Sequence, residues 1–129
     1  MTENKANKIL LVEDDESLRQ MYSLILKKEG FTVETGDDGV QGLAKARAGG
    51  YNLILLDLMM PNLDGIGFLK GLKEEQAKKP NGPIVILSNA GYEKVADEVK
   101  SLGAVDFMMK ADLLPDDLIK NVKGYIGKG

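Results

Sequence analysis

Residues Leu53-Ile54-Leu55-Leu56-Asp57 most constrain what this chain can fold into. Four large aliphatics follow one another without alternation and then stop at a carboxylate. A strand with one wet face alternates; a strand covered on both faces by helices reads as one apolar run. Such a strand belongs to a parallel sheet, and open parallel sheets bind their ligands at the C-terminal rim. The residues that follow, through Pro61 and Asp64-Gly65, force an immediate turn. Asp57 is therefore expected at the mouth of a sheet with a loop beside it.

The rest of the chain repeats the pattern. Ile9-Leu10-Leu11-Val12 is a second unalternating run, ending in Glu13-Asp14-Asp15. Leu18, Met21, Tyr22 and Ile25 then form a helical stripe, closed by Gly30. Residues 31–35 alternate, which suits an edge strand. Val40, Leu43 and Ala44 mark a second helix, ended by Gly49-Gly50. Ile66, Leu69 and Leu72 mark a third, which runs into the breaker Lys79-Pro80-Asn81-Gly82-Pro83. Ile84-Val85-Ile86-Leu87 stops at Ser88. Val95, Val99 and Leu102 mark a fourth helix, and the strand of residues 105–109 ends at Lys110. Pro115 suits the first turn of a last helix carrying Leu118, Ile119, Val122, Tyr125 and Ile126.

Strict alternation of five strands and five helices predicts a (βα)5 doubly wound, flavodoxin-like α/β fold. The expected strand order is 2-1-3-4-5, with the switch point between strands 1 and 3. Topology alone then brings Glu13 and Asp14 together with Asp57. At 129 residues the chain is read as one domain, with residues 1–7 frayed.

Composition narrows the chemistry. The chain has no Cys and no His, which excludes disulfides, thiol catalysis, Cys/His zinc sites and imidazole bases. Metal binding is left to carboxylate, carbonyl and water, the ligands of hard cations. A net charge of −3 gives no footprint for nucleic acid. No signal peptide or membrane-length apolar run is visible, leaving the cytoplasm as the default.

Three clustered carboxylates raise one another's pKa unless a cation joins them, and magnesium is the natural candidate. Asp15 reads as a helix cap instead. Ser88 and Lys110 end strands 4 and 5 at the same rim. A hydroxyl and an ammonium facing a metal-bound carboxylate suit an incoming phosphoryl group. Asp57 is then the nucleophile, forming an aspartyl phosphate.

Ile9 to Arg19 (ILLVEDDESLR), Leu55 to Gly65 (LLDLMMPNLDG), Ser88, and residues 103–107 with Lys110 closely resemble the receiver domain of bacterial two-component response regulators. The resemblance covers essentially the whole chain. It implies phosphotransfer from a histidine kinase or phosphotransfer protein to Asp57. Glu13 and Asp14 match the family's magnesium-holding pair, with the Met59 carbonyl as a further ligand. Ser88 and Lys110 match its phosphate-sensing hydroxyl and lysine, and Phe107 its switching aromatic. A phosphoryl group adds about −1.5 to −2 of charge and three acceptor oxygens. Ser88 is expected to move toward it and Phe107 to turn into the space left. The surface of helix 4, strand 5 and helix 5 then changes for an unnamed effector, in a monomer or weak homodimer.

Two positions depart from the family. Ala111 follows Lys110 where Pro is usual; a non-proline cis bond costs ~2.5–4 kcal/mol, so this peptide is expected trans with the next loop rearranged. Asn89 stands where a small Ala is usual, and its bulk is expected to alter phosphate lifetime.

Other readings are weaker. An aspartate-nucleophile phosphatase carries a second Asp two residues on, where this chain has Met59. A pseudo-receiver that never carries phosphate fits poorly with an intact set of Asp14, Asp57, Ser88 and Lys110. A nucleotide-binding glycine loop is missing, since position 70 is Lys. The chain is read as a receiver of stand-alone type that signals by docking, with a fragment cut from a longer regulator as the alternative.

Overall fold

The computed structural model describes residues 7–89 and 92–127. Five strands alternate with five helices: β1 (Lys8–Val12), α1 (Glu16–Lys28), β2 (Thr32–Gly36), α2 (Gly39–Ala48), β3 (Leu53–Asp57), α3 (Gly65–Glu74), β4 (Ile84–Ser88), α4 (Ala96–Ser101), β5 (Ala104–Met109) and α5 (Pro115–Gly127). Short 3-10 turns at Tyr92–Lys94 and Lys110–Asp112 complete the chain. All strand pairs are parallel, in the order β2-β1-β3-β4-β5. The doubly wound fold read from the alternation is the fold observed.

The unalternating strands divide cleanly between two cores, because successive side chains point to opposite faces. Leu10, Val12, Ile54, Leu56 and Ile86 pack with Leu43, Phe68, Leu69 and Val99 from α2, α3 and α4. Ile9, Leu11, Leu53, Leu55, Val85 and Leu87 pack with Tyr22, Leu26, Leu118 and Val122 from α1 and α5. Every residue of β3 is buried. Each fully buried aliphatic of this size contributes about 1.5–3 kcal/mol.

Three helices begin at the C-terminal rim with the same device. Asp15, Asp38 and Asp64 accept the backbone N–H groups of Leu18, Gln41 and Gly67 at 2.9, 2.9 and 2.8 Å. Each satisfies a donor that the first helical turn leaves without a partner. The expectation that Asp15 is a cap holds.

Two helical stripes differ from their expected positions. In α1 the buried residues are Tyr22, Ser23 and Leu26, and Met21 is exposed. At 100° per residue Met21 falls to one side of the sheet-facing arc centred on Tyr22 and Leu26. In α2, Val40 and Ala44 point outward, and Gly39, Gly42, Leu43 and Ala46 face the sheet. The cause is close approach: a Cβ on Gly42 would lie 2.7 Å from the Val12 methyls, and one on Gly36 2.8 Å from Gly42 Cα. Glycines form the contact stripe here, and counting aliphatics alone misses them.

The β4–β5 register slips once, so that Ile84 pairs with Ala104 but Val85 with Asp106. Val105 is the extra residue and is exposed. No cis peptide occurs among the described residues, so Lys110–Ala111 is trans, and the chain enters the 3-10 turn at once.

Candidate functional site

The sheet register builds the site. Val12 pairs with Leu56, so the next residues, Glu13 and Asp57, reach the rim side by side. Asp57 pairs with Leu87, which puts Ser88 one step further on, and Ser88 pairs with Met109, which puts Lys110 one step beyond that. After β1 the chain crosses to the face of α1; after β3 it crosses to the face of α3. The crevice between those diverging connections is the switch point where such sheets bind ligands.

Glu13, Asp14 and Asp57 each direct a carboxylate oxygen into this crevice, all within 4.8 Å of one another. Glu13 is fully buried and Asp57 is 3% exposed, whereas Asp14 is open to solvent. Lys110 Nζ lies 2.7 Å from Glu13 Oε1 and 3.3 Å from Asp57 Oδ1, with its side chain 7% exposed. Glu13 Oε1, fully buried, has that ammonium as its partner. Ser88 is buried beside them, its hydroxyl donating to the Asn89 carbonyl at 2.7 Å.

The electrostatics follow from burial. Loss of water and the neighbouring Glu13 charge push the Asp57 carboxyl up to about 7, against the opposing pull of Lys110. Burial pulls Lys110 down, but Glu13 and Asp57 outweigh it and leave the ammonium above its ordinary value. The Tyr22 hydroxyl beneath the cluster is pushed up by burial.

The β3–α3 loop is drawn tightly over the site. Met59 N–H donates to Asp57 Oδ1 at 3.2 Å, and Gly65 N–H to the Leu58 carbonyl at 2.9 Å. A Cβ on Gly65 would come within 2.9 Å of the Asp57 carbonyl, so only glycine fits this crossing. Asn62 adopts a left-handed φ of 71° and donates its amide to Asp38 Oδ2 at 2.7 Å, tying this loop to the start of α2. The Met59 side chain is 78% exposed. Phe107 lies on edge strand β5, half-exposed and away from the carboxylates in sequence register.

Glu13, Asp14, Asp57, Ser88 and Lys110 thus meet at one rim. Sequence reasoning missed Arg19, whose guanidinium binds the backbone of the acidic turn. The signal was its place in the first turns of α1, since helical side chains lean back toward the N-terminus.

Fold and site together define a flavodoxin-like α/β protein with an acidic crevice at its switch point. The sequence model for the response regulator receiver domain matches residues 9–123. Over 121 residues the chain is 42% identical to the cell cycle transcriptional regulator CtrA of Caulobacter vibrioides, covering 92% of this chain and 50% of that protein. It spans about half the length of the curated relatives it matches. Chemotaxis protein CheY4 of Vibrio cholerae superposes with a TM-score of 0.81 at 33% identity, covering 94% of this chain and 99% of that one. A CheY-like receiver domain protein of Methanospirillum hungatei gives 0.83 at 26% identity, with 96% of each chain covered. The chain belongs to the response regulator receiver domain family, the phosphorylation-dependent switch modules of two-component signalling. Among the described residues no helix is long and apolar enough to cross a membrane.

Proposed function

We propose that this chain is a cytoplasmic phosphoacceptor switch that takes a phosphoryl group from a phosphohistidine onto Asp57. The observation that carries this reading is the convergence of Glu13, Asp14 and Asp57 oxygens within 4.8 Å beside the Lys110 ammonium. The donor set is all hard oxygen and carries three converging carboxylates against one ammonium, which fits a small divalent cation. Glu13, Asp14, Asp57 and the Met59 carbonyl are the proposed ligands of magnesium, which when bound neutralises charge on the carboxylates and on the entering phosphoryl oxygens.

In the proposed transfer an Asp57 carboxylate oxygen attacks phosphorus. The O–P bond forms as the P–N bond to the donor imidazole breaks, and the imidazole leaves with that electron pair. Lys110, already beside Asp57 Oδ1, takes one phosphoryl oxygen as a charged donor. Ser88 takes another by turning its hydroxyl away from the Asn89 carbonyl. That movement empties space for Phe107 and reshapes the α4–β5–α5 surface, which docks a downstream protein. The phosphate biases this equilibrium only through contacts that differ between the two states. The domain promotes its own phosphotransfer and dephosphorylation and acts on no external substrate.

The test is backbone amide NMR of wild type and Asp57→Asn with magnesium and phosphoramidate. Shifts spreading from Asp57 through Ser88 to β5 and α5 in the wild type alone support the switch. Shifts confined to the rim, or equal in both proteins, contradict it.

A further inference from the structure

Arg19 carries no part of the carboxylate cluster, yet it grips the turn that presents it. Its Nη1 donates to the Glu13 carbonyl at 2.9 Å and reaches the Asp14 carbonyl at 3.3 Å. Its Nε lies 3.3 Å from Asp37 Oδ1 at the end of β2, and its side chain is only 16% exposed. The ladder of β1 ends at Val12, so these two carbonyls lie beyond the strand pairing that fixes the rest of the segment.

The consequence is geometric. The Glu13 and Asp14 carbonyls belong to the two peptide planes that flank the Asp14 Cα. Peptide groups are rigid planes, so holding both fixes the Asp14 φ and ψ and the direction of its Cα–Cβ bond. Glu13 has other anchors: its N–H donates to the Gly36 carbonyl at 3.1 Å, and its Oε2 accepts from Asp15 N–H at 3.1 Å. Asp14 is exposed; the Glu13 Oε2 bond to Asp15 N–H also holds the second of these planes, and Arg19 holds both. The planar, multi-donor guanidinium can bridge two carbonyls and an acid at once, which a lysine ammonium on a flexible stem does not reproduce.

We propose that Arg19 is a positioning residue for the divalent-cation site, holding the Glu13–Asp15 turn so that the Asp14 carboxylate converges with Glu13 and Asp57. The proposal rests on the magnesium reading given above. Charge and geometry act in opposite directions here, which makes the role separable. As a nearby positive charge alone, Arg19 repels magnesium, and its loss tightens binding. As a clamp, its loss weakens binding.

Magnesium binding to wild type, Arg19→Lys and Arg19→Gln, measured by titration calorimetry, separates the two. Metal-free melting and the Asp14 and Asp15 amide resonances are recorded alongside. The expected result is roughly 10-fold weaker binding in both variants, the size found when partners that orient metal ligands are removed. Arg19→Lys should keep its melting temperature while its Asp14 and Asp15 amides shift. Wild-type affinity in Arg19→Lys, or tighter binding in either variant, overturns the clamp; so does a lowered melting temperature with unchanged affinity. If wild type itself takes no magnesium, the cation reading fails first, whereas wild-type binding with unaltered variants overturns the Arg19 role alone.

Discussion

The Lys110 ammonium and the Glu13 carboxylate form the closest charge pair in the crevice, at 2.7 Å, with Glu13 fully buried and Lys110 nearly so. Lys110 also reaches Asp57 and is thus the internal counter-ion of the acidic cluster. Removing one partner of a buried pair leaves an uncompensated charge, at a cost of roughly 3–5 kcal/mol. Lys110→Ala should therefore lower the metal-free melting temperature markedly. Magnesium should recover more of the loss in the variant than it adds to wild type, because a cation again faces the carboxylates. Thermal melts in chelator and in magnesium check both statements; an equal magnesium increment in the two proteins would falsify the counter-ion role.

Asp57 gives a pH dependence of definite sign. Burial and the Glu13 charge push its carboxyl from the ordinary 3.8 up to about 7. Between those values the folded state binds more protons than the unfolded one, so this group's contribution to stability falls as pH rises toward 7. Asp57→Asn removes that cost. Without metal it should be more stable than wild type by roughly 1–3 kcal/mol at pH 8, with the difference closing toward pH 4. Chemical denaturation in chelator at several pH values measures it, and a gap that widens on acidification contradicts the assignment.

The opposite sign belongs to Glu34, at the middle of edge strand β2. The Tyr51 hydroxyl donates to its Oε1 at 2.8 Å and, with Lys8, holds the carboxyl below its ordinary 4.5 despite partial burial. This contribution is present above the unfolded value and is lost as pH falls through the lower folded value. Because Glu34 is partly exposed, Tyr51→Phe should cost only about 0.5–1 kcal/mol at neutral pH. The cost should disappear below pH 4.5 as Glu34 protonates. A cost constant with pH points to lost packing instead.

Asn89 adjoins the site, its carbonyl accepting the Ser88 hydroxyl. On the proposed phosphorylation of Asp57, the bulk of Asn89 next to Ser88 is expected to restrict attacking water. Asn89→Ala should shorten the phosphate lifetime several-fold while leaving its formation unaffected. Equal decay of the two phosphoproteins, followed by intact mass after removal of donor, disposes of the idea.

Much of this was legible because the strands speak plainly. Ile9–Val12 and Leu53–Leu56 are apolar at every position, and only a strand covered on both faces needs that. Alternation implied a doubly wound sheet, the order 2-1-3-4-5 is the doubly wound order that suits five strands, and the meeting of Glu13, Asp14 and Asp57 followed from that order. What escaped depends on backbone groups and on missing atoms. The buried stripe of α2 is built from Gly39 and Gly42, whose role is to be small enough for Val12 and Leu63, and periodicity counts give them no weight. Arg19 acts through two carbonyls, which no side-chain pattern displays. The slip at Val105 arises from pairing with β4, a relation between strands that neither strand carries alone.

The most direct measurement is intact mass after incubation with magnesium and acetyl phosphate, for wild type and Asp57→Asn. Acceptance at Asp57 requires the mass of one phosphoryl group on the wild type, no gain on the variant, and loss of the gain when magnesium is chelated. An unmodified wild type, or equal modification of both proteins, contradicts it.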